Sequence, residues 1–407
     1  MVALRDVVAY PVTRVVPEAA PGLTFTYVDI SAIDAEHKEI VASRTIVGRE
    51  APSRARQCVL PGDVLVSTTR PNLNAVAKVP TELGDAIAST GFAVLRPCDD
   101  LDADFLFLWT RSPGFVASVS ALVQGALYPA VTDRQLLNLK IPLPPLDEQR
   151  RIAARLRGQL QEVDGLADGT KVRNEELGHL RIRAYETAFP VTPLSATAES
   201  ATPDGWTWKS LGSLGRLESG HTPSRSRPDW WGGNIPWIAL PDIRALDGRD
   251  VFDTLEHTNP EGIAHSAARV LPAGTVVLSR TASVGFVTIM GRPMATSQDF
   301  VNWVCGPDLD PEFLMHLFVR SRQRFRSLSA GAVHKTVYFP TAMALRVCIP
   351  RLAEQRRIAA HLAEQLAEID RAKAALDAQR KAIDALPAAL LREVFGPPGH
   401  VAGSSKP

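Results

Sequence analysis

The sequence is poor in cysteine, in long apolar runs and in excess charge of either sign. Cys58, Cys98, Cys305 and Cys348 form no C-x-x-C pair, which argues against a zinc ribbon and a disulfide-stapled scaffold and fits a reducing cytoplasm. No apolar stretch approaches the roughly 18 residues that a membrane-spanning helix needs, and the start of the chain lacks a signal-peptide core. The net charge of +1 over 407 residues excludes a polycation. Composition therefore predicts a soluble, intracellular protein of two or three domains.

Familiar catalytic motifs are missing as well. The sequence has no Walker loop, G-x-G-x-x-G, H-E-x-x-H, G-x-S-x-G or Asp/Asn-Pro-Pro-Tyr/Phe tetrapeptide, and its nine histidines show no metal-ligand spacing. We therefore expect no catalytic residue and no metal site.

The most informative feature that is present is an internal repeat. Residues 146–156 read LDEQRRIAARL and residues 352–362 read LAEQRRIAAHL, identical at nine of eleven positions and 206 residues apart. A proline-rich segment precedes each copy, and DLDADFL at 100–106 matches DLDPEFL at 308–314. The chain is therefore two copies of one unit, each large enough to form its own core.

Each copy reads as a mixed α+β domain followed by a long helix. Short β-type runs with mainly antiparallel or mixed pairing precede one amphipathic helix, expected over 102–119 in the first copy and 311–328 in the second. The predicted parts are a first domain at 1–145, a central helix at 146–190, a linker at 191–204, a second domain at 205–351, a C-terminal helix at 352–395 and a tail at 396–407.

The two long helices predict an antiparallel coiled coil. In the second helix, apolar residues recur every seven positions and Ala372 and Leu386 extend a neighbouring seam; the main series is Leu362, Ile369, Leu376, Ile383 and Leu390. The first helix has a weaker pair of series, one with Leu156, Val163 and Leu177, the other with Ile152, Leu166 and Leu180. Four glycines interrupt it, so it is expected to bend or to depend on its partner.

Loops of both domains carry side chains suited to nucleic acid. Arginine can read guanine edges and asparagine can read adenine edges, and aromatic side chains can accompany them. The candidates in the first domain are Arg70, Asn72, Asn74 and Tyr128; those in the second domain are Ser224, Arg225, Arg227, Arg280, Ser283, His334 and Lys335. Each could instead be an ordinary solvated turn residue, and Trp230, Trp231 and Trp237 could be core residues. Four alternate arginines at 320–326 could bind phosphate or simply complement a helix dipole.

With these motifs in place, the chain resembles the specificity subunits of type I restriction–modification systems. The resemblance rests on IPLPPLDEQRRIAARL at 141–156, on CIPRLAEQRRIAAHL at 348–362 and on the opening SGHTPSRSRPDWWGGNIPWIALPDI at 219–243. It covers nearly the whole chain. The first domain lacks the TPS…IPW opening and is therefore a divergent version.

The resemblance implies a non-catalytic subunit that binds double-stranded DNA. Each target-recognition domain would read one half of an asymmetric bipartite site, and the paired helices would set the gap between the halves. Two modification (methyltransferase) subunits would dock on the repeated motif, and restriction (translocase/nuclease) subunits would join them. The expected docking residues are Glu148, Gln149, Arg150, Arg151, Glu354, Gln355, Arg356 and Arg357. S-adenosylmethionine, ATP and magnesium would bind the partners, so this chain is expected to bind no cofactor. Two alternatives stay open: a coiled-coil scaffold that binds no DNA, and a stand-alone DNA-modifying enzyme whose site has no recognisable motif.

Overall fold

The computed structural model describes residues 1–123, 129–190, 194–195, 201–281, 283–329 and 336–396. The chain divides into two compact units, unit 1 with Met1–Val172 and Asp377–Pro407, and unit 2 with Arg173–Leu376.

Unit 1 contains a small α+β domain built on two four-stranded sheets. Its strands are β1 Val2–Ala3, β2 Val8–Ala9, β3 Thr24–Val28, β4 Ile33–Asp34, β5 Glu39–Ile40, β6 Arg44–Val47, β7 Ala55–Cys58, β8 Val64–Ser67, β9 Val76–Lys78, β10 Ile87–Ser89, β11 Phe92–Pro97 and β12 Lys140–Ile141. Its helices are α1 Ala103–Thr110, α2 Pro113–Ala121, α3 Asp133–Leu137 and the first part of α4 Leu146–Ala188. One sheet has the order β2-β11-β8-β9 and the other β6-β3-β10-β7, with β3 and β10 parallel.

Unit 2 contains a second α+β domain. Its strands are β13 Leu194–Ser195, β14 Thr207–Ser210, β15 Gly215–Ser219, β16 Trp231–Ile238, β17 Asp250–Val251, β18 His257–Thr258, β19 Val276–Ser279, β20 Val287–Met290, β21 Ala295–Thr296, β22 Phe300–Cys305 and β23 Arg346–Ile349. Its helices are α5 Leu211–Leu214, α6 Leu240–Ala245, α7 Pro260–Ala264, α8 Pro311–Arg320, α9 Arg322–Leu328, α10 Phe339–Met343 and the first part of α11 Leu352–Phe395. The main sheet has the order β15-β22-β19-β20-β17.

The central sheets of the two domains share one antiparallel order. β2-β11-β8-β9 in unit 1 corresponds to β15-β22-β19-β20 in unit 2. All four residues of β8 and of β19 are buried, as expected for strands covered on both faces. The expected α+β class with mixed strands is confirmed, and the duplication extends from the sequence to the fold.

The prediction of one amphipathic helix in each domain is wrong in detail, because each domain has two consecutive helices in that region. In unit 1 the break falls at Ser112, whose hydroxyl caps α2 by accepting from the Phe115 N–H, with Pro113 at the first helical position. Proline suits that position because its missing N–H would have no partner there. In unit 2 the break falls at Ser321, between α8 and α9.

Helices α4 and α11 are long, and their segments run antiparallel within each unit. In unit 1, Leu156 and Leu160 near the start of α4 share a core with Leu391 near the end of α11. In unit 2, Arg181 near the end of α4 lies 2.6 Å from Asp370 of α11. The predicted pair of long antiparallel helices is thus confirmed.

The buried seam of these helices differs from the expected one in part. On α4 the Leu156 and Val163 series is buried, whereas Leu166 and Leu180 are about half exposed. On α11 Leu362, Leu376 and Ile383 are buried, and so are Ala359 and Leu366 on a neighbouring seam. Ala372 and Leu386, expected on such a seam, are exposed. Helix α4 continues without a break through Gly158, Gly165, Gly169 and Gly178, because packing rather than propensity stabilises a helix within a protein.

Candidate nucleic-acid interface

In unit 1 a polar loop follows a buried strand of the central sheet. Strand β8 ends at Ser67, after which Thr69 forms a β-bridge with Ala130. The Arg70 N–H donates to the Pro129 carbonyl at 2.9 Å. The loop that carries Arg70, Asn72 and Asn74 is therefore fixed to the segment around residue 130.

Unit 2 repeats this construction after strand β19. The strand ends at Ser279, and Thr281 forms a bridge with Thr336. The Val337 N–H donates to the Arg280 carbonyl at 2.9 Å. In each domain these contacts thus join two segments that lie next to candidate residues and are more than 50 residues apart in the sequence.

Three of the candidate residues, Tyr128, His334 and Lys335, lie outside the described residues.

Backbone strain is concentrated in the unit 1 loop. Within the described ranges the non-glycine residues with positive φ are Lys38, Arg70 and Asn74, at 63°, 49° and 47°. The left-handed conformation costs an L-residue roughly 1–2 kcal/mol, and such strain persists only where surrounding contacts enforce it. Arg70 and Asn74 flank a short 3₁₀ turn, Pro71–Leu73, and Arg70 and Asn72 are exposed. The loop holds these two side chains outward in a fixed conformation.

Lys38 fixes this loop and was missed by sequence reasoning. Its Nζ donates to the Asn74 carbonyl at 2.7 Å, capping the turn from a strand connection 36 residues earlier. Burial, and then the nearby Arg111 guanidinium, lower the pKa of Lys38 to about 8. Most of that shift comes from burial, so the Lys38 ammonium serves mainly to hold the turn.

The unit 2 loop lies against the segment that carries the tryptophans. Arg280 Nε donates to the Gln298 carbonyl at 3.1 Å, and the Gln298 side chain accepts from the Thr222 hydroxyl at 2.5 Å. Ser283 Oγ accepts from Arg244 Nε at 3.0 Å, so its hydroxyl oxygen is already engaged. Arg280 therefore lies close to the loop with Ser224 and Arg225, although 55 residues separate Arg280 and Arg225.

Arg225 is held between aromatic rings and a carboxylate. Its guanidinium carbon lies 4.0 Å from the Trp231 ring centroid and 4.9 Å from that of Trp237. Its Nη2 donates to Glu256 Oε2 at 2.8 Å, and its Nη1 to the other oxygen of Glu256. Cation–π contacts of this kind contribute about 0.5–1 kcal/mol at exposed sites.

Arg227, two residues later, is held in the same manner. Its guanidinium lies 4.7 Å from the Trp230 ring, and Nε and Nη2 donate to Asp229 at 2.9 and 2.6 Å. Trp230 in turn stacks on His265, with ring centroids 5.5 Å apart. Ser224 completes the loop by a hydroxyl contact of 2.8 Å with Ser226.

The tryptophans divide between core and surface. Trp237 is buried, with 3 % of its surface exposed, whereas Trp230 and Trp231 are only partly buried. The core interpretation therefore fits Trp237, and the other two rings serve as platforms for arginines.

The two carboxylates that contact this loop, Glu256 and Asp229, accept hydrogen bonds from its arginines. Hydrogen bonds from Arg225 lower the pKa of Glu256, and those from Arg227 lower the pKa of Asp229. Both acids stay ionised at neutral pH, so each arginine–acid pair carries no net charge.

The arginines at 320–326 divide between internal contacts and solvent. Arg322 forms two hydrogen bonds to Asp247, at 2.7 and 2.6 Å, and a third to the Gly285 carbonyl at 2.8 Å. Arg320 pairs weakly with Glu186 at 3.9 Å. Arg322 ties α9 to the turn before β20, so its role is structural.

Gln149 and Gln355 hold each domain to its long helix by identical hydrogen bonds. Gln149 Oε1 accepts from the Asp102 N–H at 2.9 Å, and Nε2 donates to the carbonyls of Asp100 and Pro144 at 2.9 and 2.8 Å. Asp102 is the N-cap of α1.

Gln355 repeats this set in unit 2. It accepts from the Asp310 N–H at 3.0 Å and donates to the carbonyls of Asp308 and Pro350 at 3.0 and 2.9 Å. The exposed fraction is 0 % for Gln149 and 1 % for Gln355. These two side chains cannot contact a partner subunit in this conformation, so their assignment as docking residues needs correction: they position the motif rather than present it.

The six charged residues of the repeated motif that are expected to dock a partner face outward. Glu148 pairs with Arg151 at 3.1 Å, and Glu354 pairs with Arg357 at 2.6 Å. Arg150 and Arg356 approach the N-cap carboxylates Asp102 and Asp310, at 4.0 and 3.7 Å, and remain exposed. This pattern leaves the same charged surface at the start of each long helix, and the six residues remain candidates for docking.

Other site types find no support among the described residues. No group of three His, Cys, Asp or Glu side chains there could hold a metal ion. No disulfide bond joins any of the cysteines among the described residues. None of the helices in the described ranges combines the length and the apolar character needed to cross a membrane.

A sequence profile for the type I restriction modification DNA specificity domain matches residues 26–163 and again residues 203–379. Each match covers most or all of one copy of the domain and the first part of its long helix. The chain belongs to this family of type I restriction–modification specificity subunits, whose members recognise DNA for a complex in which other subunits catalyse.

Individual relatives agree with this assignment. The type I restriction enzyme HindI specificity subunit of Haemophilus influenzae is 23% identical over 330 residues, covering 65% of this chain and 71% of the relative. The HsdS subunit of Thermoanaerobacter tengcongensis is 29% identical, with a TM-score of 0.69 over 97% of this chain and 96% of that one. A chain from a structure of the assembly and conformational transition of the type I R-M system is 28% identical, with a TM-score of 0.82 and the same coverage.

Sequence reasoning missed four further residues that help to fix these loops. Glu256 and Asp229 pair with the arginines, Lys38 caps the unit 1 loop and Gln298 joins two tracts of unit 2. Asp229 could have been found from its position two residues after Arg227. The others come from distant parts of the sequence and carry no local signal.

Proposed function

We propose that this chain reads an asymmetric bipartite DNA sequence, with each domain recognising one half. The observation that carries the proposal is the duplication itself. Both units have the same order of strands in the central sheet, and in both a buried glutamine, Gln149 or Gln355, joins the domain to its long helix. The loops of the two units, in contrast, differ in sequence and in contacts. Paired recognition units bind paired half-sites. Since the loops are unlike, the halves are unlike.

The base-reading residues of the first half are Arg70, Asn72, Asn74 and Tyr128. Arg70, at the start of the turn, and Asn72, within it, are exposed, and Lys38 fixes the backbone at the end of the turn. An arginine can donate two hydrogen bonds to guanine and an asparagine can make two with adenine. The second half is read by Ser224, Arg225, Arg227, Arg280, Ser283, His334 and Lys335.

We further propose that two modification subunits dock at the repeated motif, one per unit. The docking residues are Glu148, Arg150, Arg151, Glu354, Arg356 and Arg357, which form the same exposed surface twice. Restriction subunits complete the complex. The partners bind S-adenosylmethionine, ATP and magnesium, and this chain binds none of them.

Substitutions in the two equivalent loops test the assignment of half-sites. The chain would be expressed with its partner subunits, and methylated sites would be mapped across the host genome. Arg70→Ala should relax the preference at one half-site and Arg280→Ala at the other, each by about 1–3 kcal/mol of discrimination. Each variant is the control for the other. A uniform loss of binding to unrelated duplexes would show that these arginines contact phosphates instead.

The gap is proposed to follow the length of the paired helices. Deleting residues 166–169 from α4 and 382–385 from α11 removes four residues from each, or ~6 Å of helix at 1.5 Å per residue. The gap should shorten by one or two base pairs while both half-sites stay the same. A changed half-site with an unchanged gap would contradict this role.

A further inference from the structure

In unit 2, two acidic residues hold Arg225 and Arg227 in the same kind of arrangement. Arg225 lies on the Trp231 ring with Glu256 at its edge, and Arg227 lies on the Trp230 ring with Asp229 at its edge. Each of these two arginines is therefore held by an indole ring and a carboxylate, and the two arginines use different partner residues.

The acids are themselves fixed by backbone hydrogen bonds. The Glu256 carbonyl accepts from the Trp237 N–H at 3.1 Å and from the Thr254 hydroxyl at 2.7 Å. The Asp229 carbonyl accepts from Asn259 Nδ2 at 2.7 Å. The carboxylates are thus presented from anchored positions, which restricts the arginine rotamers before any ligand binds.

Each arginine keeps one edge free. A guanidinium has five N–H donors. Arg225 uses Nη1 and Nη2 for Glu256, which leaves its Nε and the second N–H of each Nη. Arg227 uses Nε and Nη2 for Asp229, which leaves its Nη1/Nη2 edge. None of these remaining donors has a hydrogen-bond acceptor within the part of the chain that is described, so a two-acceptor base edge could still bind.

Charge and hydrogen bonding are therefore separated in this loop. Non-specific attraction to DNA depends on unpaired positive charge, which releases counterions from phosphates. Base reading depends on oriented donors. A guanidinium that is neutralised by a fixed carboxylate attracts phosphate less strongly, but its free N–H donors keep their orientation and can still read a base.

We propose that Glu256 and Asp229 are specificity-determining positioning residues, which neutralise Arg225 and Arg227 and orient their free edges towards bases rather than phosphates. This inference rests on the proposed DNA-reading function.

The test measures non-specific binding as a function of salt. The full chain in complex with its methyltransferase partners would be titrated with a 30-base-pair duplex of random sequence between 50 and 200 mM salt. Glu256→Gln should free one cation for a phosphate contact, steepening the slope of log K against log salt by about 0.9 and raising affinity at 50 mM several-fold. Asp229→Asn should act in the same way at the second pair.

Two controls separate this role from general effects. Glu368→Gln removes an acid that also pairs with an arginine, Arg371, but on helix α11; it should leave the slope unchanged. The double variant Arg225→Ala with Glu256→Gln should return to the slope of Arg225→Ala alone, because Glu256 acts through Arg225. Methylation mapping of Glu256→Gln should also show a relaxed second half-site and an unaltered first one.

The outcomes are distinguishable. An unchanged salt slope in both Glu256→Gln and Asp229→Asn, or an equal change in Glu368→Gln, overturns the inference and leaves the proposed function intact. Loss of folding in both loop variants would also overturn it, by showing that the acids are structural. If the complex binds no duplex at any salt concentration, the proposed function itself fails.

Discussion

Replacing Gln149 or Gln355 with alanine should destabilise the joint between a domain and its long helix. Each side chain makes three hydrogen bonds to backbone groups, and each is almost fully buried. A buried hydrogen bond contributes about 1 kcal/mol net, and an unsatisfied buried partner costs more. Alanine cannot replace any of the three bonds, so we expect a loss of about 3 kcal/mol in the free energy of unfolding for either variant.

Matched controls are available on the same helices. Gln161 on α4 and Gln379 on α11 are exposed, so Gln161→Ala and Gln379→Ala remove the same amide without removing buried hydrogen bonds. Substitutions of that kind should change stability by no more than about 0.5 kcal/mol. Urea unfolding of all four variants would give the comparison.

Hydrogen exchange identifies the joint directly. The Asp102 N–H donates to Gln149, and the Asp310 N–H donates to Gln355, so each amide should exchange faster in the corresponding variant alone. A loss below about 1 kcal/mol with unchanged exchange at Asp102 would refute the structural role. A variant that keeps its stability but no longer binds the modification subunit would restore the docking role.

Three further predictions concern a buried histidine, the glycines of α4 and a glycine of strand β15. Burial, and then Arg181, lower the pKa of His316 to about 4, so protons bind the unfolded chain more readily than the folded one between pH 6.5 and 4. The stability present above pH 6.5 should therefore fall by about 3 kcal/mol as the pH drops to 4, and His316→Gln should lose less in urea unfolding; equal losses would contradict this. Alanine at each α4 glycine (Gly158, Gly165, Gly169 and Gly178) should stabilise by about 0.5–1 kcal/mol, because an added Cβ meets nothing within 4 Å. Gly215→Ala, whose Cβ would lie 2.8 Å from the Val304 carbonyl oxygen, should instead destabilise, as thermal unfolding would show.

The long-range organisation of the protein could be predicted from sequence because it is written as a repeat. The eleven-residue motif at 146–156 and 352–362 established the duplication and the two long helices, and the structure bears out both. Periodicity was less reliable for the exact seam. Leu166 and Leu180 fit a seven-residue series but lie on a face that the partner helix does not cover.

The candidate interface was predictable only in part, because its contacts join distant segments. The types of residues in the loops indicated Arg70, Arg225 and Arg280 as candidates. The sequence did not indicate that Glu256 would pair with Arg225 across 31 residues, or that Lys38 would cap a loop 36 residues later. The sequence also could not show that Gln149 is buried against its own domain, because a polar residue repeated in both copies can be retained for the fold or for binding a partner.

The differences between the two copies follow from what each part contacts. Residues that bond within their own copy, such as Gln149 and Gln355 with their N-cap aspartates, occur in both because both joints need the same geometry. The loops that carry the candidate residues do not have to keep the same geometry in the two copies. Unit 1 fixes Arg70 by a strained backbone, whereas unit 2 fixes Arg225 by a carboxylate and two indoles. Among the described residues no carboxylate pairs with Arg70, whereas Glu256 neutralises the charge of Arg225, so the salt slope of non-specific binding should fall more in Arg70→Ala than in Arg225→Ala. Equal slopes in the two variants would contradict this division.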